Sequence, residues 1–232
     1  MNPKSILKFF YTVFIFIGLF LAQTFAQGEA PVKIKLKPAD PKSPLHALLK
    51  MRSSCRDFQN KNLELDTLGA VLWATCGKKY DAVTSASRTI PSAGATNPLE
   101  LYVLIGRGGV ARIKEGLYHY LIDEHALELA REGDKRQELA AACLGQGFLR
   151  DAPVSLIICA QFERTTARYG ARGERYVFME VGSAYQNTYL AAAQLGLGTV
   201  AVGAFNDESV RSVLDLEEDL FPLLVMPLGY PK

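Results

Sequence analysis

Three short segments of the 232-residue chain carry residue types that are costly to keep unless something uses them. The first is Arg52-Ser53-Ser54-Cys55-Arg56. Two guanidinium groups with a hydroxyl between them can converge on one phosphate, because the planar fork of arginine makes paired, charge-assisted bonds to anionic oxygens. The same residues also suit a solvated helix end, where cations meet the negative end of the dipole. The second is Pro91-Ser92-Ala93-Gly94-Ala95-Thr96-Asn97-Pro98. Small residues bracketed by prolines let a rigid backbone approach a flat ligand and present N–H groups and a hydroxyl, although an ordinary loop has the same composition. The third is Glu180-Val-Gly182-Ser-Ala-Tyr-Gln186-Asn187, which lies inside a helical pattern. A glycine there costs roughly 1 kcal/mol relative to alanine, so a ligand or another helix must come close. Farther on, Gly196-Leu197-Gly198 opens a glycine-rich stretch, but not the G-x-G-x-x-G turn between strand and helix that cradles a dinucleotide.

Apolar periodicity predicts the elements that must position these segments. Pro44 precedes a short helix with Leu45, Leu48, Leu49 and Met51 on one side, and Asp66 can cap a second with Leu68, Val71, Leu72 and Ala74 at helical spacing. Residues 75–98 read as irregular. Residues 101–105 and 116–122 read as strands, the latter turning at Asp123-Glu124, and residues 134–149 as one helix. The continuous apolar run 154–160 predicts a central strand buried on both faces. Residues 176–194 form the longest helical pattern, with Gly196 placed to supply its left-handed cap. A short strand at 199–202, a helix starting at Asn206 or Asp207, and a closing strand at 223–228 complete the chain. Separated helices and strands of this kind predict one α+β domain rather than strict βαβ alternation.

Composition narrows the chemistry. Lys4 and Lys8 precede an apolar run at 9–21 that is short for a membrane span, and Thr24-Phe25-Ala26 offers small residues where a signal peptidase reads. The expectation is a signal peptide at 1–26, export to the periplasm or medium, a Pro- and Lys-rich linker at 27–44, and one domain at 45–232. A retained anchor is the alternative. Without Lys4 and Lys8, 24 basic residues face 24 acidic ones, so the mature chain has no bulk attraction for nucleic acid or anionic lipid. The four cysteines form no C-x-x-C, and the three histidines show no metal spacing; no metal site and no Ser-His-Asp hydrolase is expected. Export permits disulfides among Cys55, Cys76, Cys143 and Cys159 without requiring them.

Taken in order, the motifs resemble those of the FMN-dependent nitroreductase family, most closely its SagB-type dehydrogenases, a branch that includes the azoline oxidases. The matching residues begin with Arg52-Ser-Ser54-Cys-Arg56-Asp-Phe58, Leu72-Trp-Ala74 and Arg88-Thr-Ile-Pro91-Ser-Ala-Gly94. They continue through Gly116-Leu-Tyr118, Tyr169-Gly-Ala-Arg172, Glu180-Val-Gly182, Gln186-Asn187, Leu195-Gly-Leu-Gly198 and Pro227-Leu-Gly229. The resemblance covers about residues 45–232.

It implies an α+β fold with a central, mainly antiparallel mixed sheet flanked by helices, and a homodimer with one FMN at each subunit interface. Arg52, Ser54 and Arg56 would meet the phosphate and ribityl end. Ser92, Ala93, Gly94 and Asn97 would lie along the flavin of the partner subunit. Gly182 would approach the reactive N5 edge, with Leu197 and Gly198 near the ring. Two electrons would pass from a small-molecule donor to an acceptor through that edge; a non-catalytic flavin- or ligand-binding dimer is the alternative. Many relatives continue past the corresponding Gly-Tyr-Pro with an arm that adds a basic phosphate contact, whereas this sequence ends at Lys232, which places that task on Arg52 and Arg56. Azoline oxidases carry Lys-Tyr where this chain has Arg168-Tyr169, the pair expected beside the substrate. Arginine stays protonated and is a poor base, so Tyr169 is the proton-transfer candidate of the two.

Overall fold

The apolar run at 154–160 becomes strand β4 (Val154–Ala160), all seven residues of which are buried. The computed structural model describes residues 33–37, 40–79 and 87–232, and β4 lies inside the six-stranded sheet they form. Antiparallel partners flank it: β1 (Leu99–Ile105), in register from Leu99↔Ala160 to Ile105↔Val154, and β6 (Phe221–Gly229). Beyond β1 come β2 (Gly116–Leu121) and β3 (Ala126–Glu132); beyond β6 comes the two-residue β5 (Gly198–Thr199), for a spatial order β3-β2-β1-β4-β6-β5. Every neighbouring pair is antiparallel, while single parallel bridges join Ser54 to Thr199 and Leu63 to Val110.

Strand side chains alternate between faces, so β4 feeds two cores. Val154, Leu156, Ile158 and Ala160 pack with Leu68, Val71 and Leu72 of helix α2 (Leu65–Cys76) and with Val177, Val181 and Ala184 of helix α6 (Arg172–Gln194). Ile157 and Cys159 face the other way, toward α3 (Arg136–Ala142), α4 (Phe148–Asp151) and α7 (Asp207–Leu214), through Leu139, Leu149, Val210 and Leu214. The result is three layers with the sheet in the middle. Two further helices belong to the α6 side of the chain: α1 (Pro44–Met51), which makes contacts with α6, and α5 (Glu163–Tyr169), which packs just before it. The proline at Pro227 is tolerated because β5 pairs only Leu228 and Gly229, leaving the rest of that edge of β6 without a full ladder.

The structure departs from the sequence expectations at several places: Asp66 lies inside the first turn of α2, whose N-cap is Glu64, the strand expected at 199–202 is the two-residue β5, and helix α5 was not expected. Strand β3 was not expected, because Glu128, Arg131 and Glu132 interrupt any apolar alternation; charges of this kind are typical of an edge strand. The helix expected at 134–149 is two helices, broken where Leu144 and Gly145 adopt φ of 57° and 74°. Helix α6 begins at Arg172 rather than at Tyr176. Helix α1 forms as expected, yet none of its residues is buried, and Leu45 and Met51 are 55% and 61% exposed.

Other expectations hold in detail. Asn206 caps α7 by accepting a hydrogen bond from the Ser209 N–H, 2.8 Å, and Gly196 follows α6 with φ of 70°. Residues 41–232 make one compact unit. Residues 33–37, exposed and without regular structure, belong to a separate unit, Met1–Asp40. The expected signal segment at 1–26 and residues 80–86 of the stretch expected to be irregular lie outside the described residues. The four cysteines are free thiols; burial pushes Cys76 and Cys143 up to about 12, which makes both poor nucleophiles at neutral pH.

Candidate functional site

Leaving α1, the chain runs extended past the C-terminal end of α6, where it meets β5. The Cys55 N–H donates to the Thr199 carbonyl at 2.8 Å, and Ser54 forms a parallel bridge with Thr199. This approach needs a glycine next door: a Cβ on Gly198 would lie 2.6 Å from both Cβ and Sγ of Cys55. Tyr189 of α6 gathers the segment, its hydroxyl 3.1 Å from Ser54 Oγ and accepting the Ala201 N–H at 2.9 Å. The Arg52 guanidinium lies 5.3 Å from the Tyr189 ring centroid. Arg52, Cys55 and Tyr189 line a cavity of about 200 Å3 whose wall includes Leu197, Gly198 and Thr199, with Ser54 held just behind it by Tyr189.

Two features mark this cavity as receptive. The Thr199 hydroxyl is buried and has no hydrogen-bond partner, and an orphaned buried polar atom normally costs about 1–3 kcal/mol. Arg52 and Arg56 make no ion pair with an acid among the described residues. The structure thus brings Arg52, Ser54, Leu197 and Gly198 together around Tyr189. Arg56 instead stands over Phe148 of α4, 6.0 Å from its ring centroid.

The Pro91–Asn97 loop is organised differently. Ser92 Oγ and the Ala93 N–H both donate to Glu180 Oε1 of α6, at 3.0 and 2.9 Å, and the Asn97 N–H donates to Ser92 Oγ at 2.9 Å. Gly94, Ala95 and Asn97 all sit in the left-handed region, at φ of 59°, 56° and 46°. Such a run persists only where the surroundings over-determine it. Arg168 of α5 donates to the Gly94 carbonyl at 3.1 Å, and a Cβ on Gly94 would come within 2.5 Å of the Tyr169 hydroxyl. Tyr169 is in turn set edge-on against Tyr176, 5.1 Å between centroids. Ser92, Ala93, Gly94, Asn97, Arg168 and Tyr169 therefore form a second cluster.

Glu180, only 4% exposed, is the functional residue that sequence reasoning missed. Burial raises its carboxyl pKa above the ordinary range, partly offset by the bonds from Ala93 and Ser92. The available signal was an acid on the same helical face as Val177, Val181 and Ala184, a stripe that is otherwise apolar.

Gly182 separates the two clusters along α6. Gly182 and Phe178, one turn apart, lie on the outward side of α6; Tyr185 is half-buried against the core, and Tyr189 and Glu180, 6% and 4% exposed, turn inward. A Cβ built on Gly182 meets nothing within 4 Å, so no neighbouring helix of the chain requires the glycine. Asn187 ties α6 to α2 by donating to the Ala74 carbonyl at 3.0 Å, which leaves Gln186 as the amide of that motif on the outer side. A cavity of about 880 Å3 lies elsewhere, between α2 and the β2–β3 hairpin, and contains none of the residues expected at the site.

Comparison with known proteins bears on the family and the fold. MJ1384 of Methanocaldococcus jannaschii, named for the nitroreductases, is 44% identical over 185 residues, covering 80% of this chain and 90% of its own. The microcin B17-processing protein McbC of Escherichia coli is 30% identical over 149 residues; the match spans 62% of this chain and 55% of McbC. The FMN reductase [NAD(P)H] of Bacillus subtilis is 27% identical over 115 residues, 44% of this chain and 46% of that one. Among solved structures, a nitroreductase-type protein of Ralstonia eutropha superposes with a TM-score of 0.70 at 30% identity, over 88% of this chain and 92% of its own. The Escherichia coli microcin synthetase McbBCD complex with truncated pro-MccB17 also gives 0.70, at 25% identity, over 90% and 80%. The sequence model of the nitroreductase family matches residues 49–230, nearly the whole folded unit, and the chain belongs to that family.

Proposed function

We propose that this protein is an FMN-dependent oxidoreductase that passes two electrons between a small-molecule donor and an acceptor in alternating half-reactions. The observation that carries this reading is the outward face of α6: a glycine with nothing near it, flanked by a receptive cationic cavity on one side and a rigid small-residue loop on the other. A bound FMN would supply the electron chemistry at N5. Arg52 and Ser54 are the groups of this chain suited to its phosphate, with the Thr199 hydroxyl as a further partner. Leu197 and Gly198 offer an apolar wall with no projecting side chain. Gly182 leaves room for a flat ring system to rest against α6.

The Pro91–Asn97 loop, held by Glu180, would present its backbone to the flavin of a second copy. A dimer would also cover apolar side chains that one chain leaves bare, namely Leu45 and Met51 of α1 and Phe178 and Met179 of α6, the last two 55% and 59% exposed. Tyr169 supplies a hydroxyl and Arg168 a fixed cation at the edge of that loop, suited to holding a substrate and to moving one proton. The protein should be purified and examined by absorbance and light scattering, then offered reduced nicotinamides and other small donors. Stoichiometric flavin on a dimer that is bleached by a donor and regenerated by an acceptor supports the reading. Purified protein that neither carries nor takes up FMN refutes it. A non-catalytic flavin carrier would bind the flavin yet turn over nothing. We further infer that the chain is exported after cleavage near Ala26; an intact Met1 on protein from the native cytoplasm would overturn that.

A further inference from the structure

The cavity of about 880 Å3 between α2 and the β2–β3 hairpin falls in the size range of small-molecule sites, which is roughly 300–1,000 Å3. Leu65, Leu72, Ile113 and Leu127 give it an apolar lining, and Trp73 of α2 stands at its rim, 46% exposed. Its polar groups are few and fixed. The Tyr120 hydroxyl, on a side chain only 1% exposed, is 2.6 Å from His125 Nδ1. Burial holds that hydroxyl protonated, up to about 12. When it donates to Nδ1, the ring proton resides on Nε2, on the side that faces Gly69 of α2.

The Tyr118 hydroxyl donates to the Lys114 carbonyl at 2.9 Å and so pins the loop that carries Arg112. Arg112 is held at φ of 65°, unusual for a residue with a side chain, and has no acid partner among the described residues. Of the other charged groups in the lining, Lys114 is paired with Glu132 at 3.2 Å, and Asp66 lies in the first turn of α2. Of the two basic side chains in the lining, Arg112 is thus the one without an acid partner among the described residues.

We propose that this cavity binds a flat aromatic small molecule bearing one anionic group, its rings against Trp73 and the apolar lining and its anion facing Arg112 and His125. The site shares no residue with the proposed flavin site and stands apart from that reading.

Trp73 is the only tryptophan in the chain, so its emission reports occupancy directly. Anthraquinone sulfonate is the probe, titrated into the full purified protein with and without added FMN. The expected result is saturable quenching at one equivalent per chain, unaffected by FMN, with much weaker binding of the uncharged hydroxymethyl analogue. Arg112→Asn keeps a residue that tolerates the left-handed conformation and should weaken the probe about tenfold. Gly69→Leu improves helix propensity in α2 while filling the cavity, and should abolish quenching with fold and oligomeric state retained. No saturable quenching, equal affinity in Gly69→Leu, or competition with FMN would each overturn the proposal. So would a Trp73 already shielded from acrylamide in the wild type, since another part of the chain or a second copy would then fill the cavity.

Discussion

The two ends of the α6 segment from Glu180 to Tyr189, roughly 13 Å apart by helical rise, solve opposite problems. At the Glu180 end the polar groups satisfy one another: one carboxylate oxygen takes two donors, Ser92 relays to Asn97, and Arg168 closes over Gly94. At the Tyr189 end a buried hydroxyl is left over and Arg52 has no acidic partner among the described residues. The first region is built to keep its shape with nothing bound. The second leaves a cation and a buried hydroxyl without partners among the described residues. A closed hydrogen-bond network preorganises a surface, whereas unpaired donors provide affinity, and a ligand spanning both needs each.

The contrast breaks most visibly at Glu180. Glu180→Ala would leave the Ser92 hydroxyl and the Ala93 N–H without an acceptor, at a cost of about 2–3 kcal/mol. For a domain of this size that lowers the melting temperature by roughly 5–10 °C. Glu180→Gln keeps an acceptor oxygen and should lose much less. Because the folded pKa of Glu180 is raised above its ordinary 4.5, its contribution to stability is full below that value and is lost as pH rises through the folded pKa. Thermal melts across that window should show the stability margin of wild type over Glu180→Gln shrinking as pH rises. A pH-independent difference would mean that the carboxyl is not titrating in the folded state.

At the other end the expected change is in affinity rather than stability. Arg52→Ala should weaken FMN roughly tenfold to a hundredfold, the value of one charge-assisted bond, while riboflavin binding stays the same. Arg56→Ala, whose guanidinium lies over Phe148, should have a smaller effect on FMN. Titration of both flavins into both apoproteins tests this ordering; a larger loss at Arg56 would move the phosphate toward α4. The smallest effect is expected at Arg168, which is exposed and holds the loop through one carbonyl. Arg168→Ala should cost under about 1 kcal/mol in stability and should raise KM more than it lowers kcat, measured with whichever donor reduces the flavin.

Much of this was legible from residue order alone. The apolar run at 154–160 could only be a strand covered on both faces, and the 3.6-residue pattern through Val181, Ala184, Thr188 and Ala192 announced α6. The site segments were found because glycine inside a helix and paired arginines are expensive residues. The rest was hidden for definite reasons. Strand β3 earns its place from ladder bonds to β2, not from an apolar face, so no periodicity betrays it. The partnership of Glu180 with Ser92 joins residues 88 apart in sequence, so the acid on the apolar face of α6 could be noticed while its partner could not. Convergence of Arg52 and Ser54, but not Arg56, on Tyr189 depends on where the chain turns after α1, which spacing alone does not determine.

The central claim is that the empty space beside Gly182 is where the flavin rests, and Gly182→Leu tests it most directly. A Cβ at this position meets nothing within 4 Å among the described residues, and leucine in place of a helix-interior glycine should stabilise the apoprotein by up to about 1 kcal/mol. FMN titration should be run on wild type and variant, with melting temperature and light scattering recorded on the same samples. The account predicts a variant that is at least as stable as wild type, keeps its oligomeric state and loses tight FMN binding. A folded Gly182→Leu protein that binds FMN as tightly as wild type would contradict it.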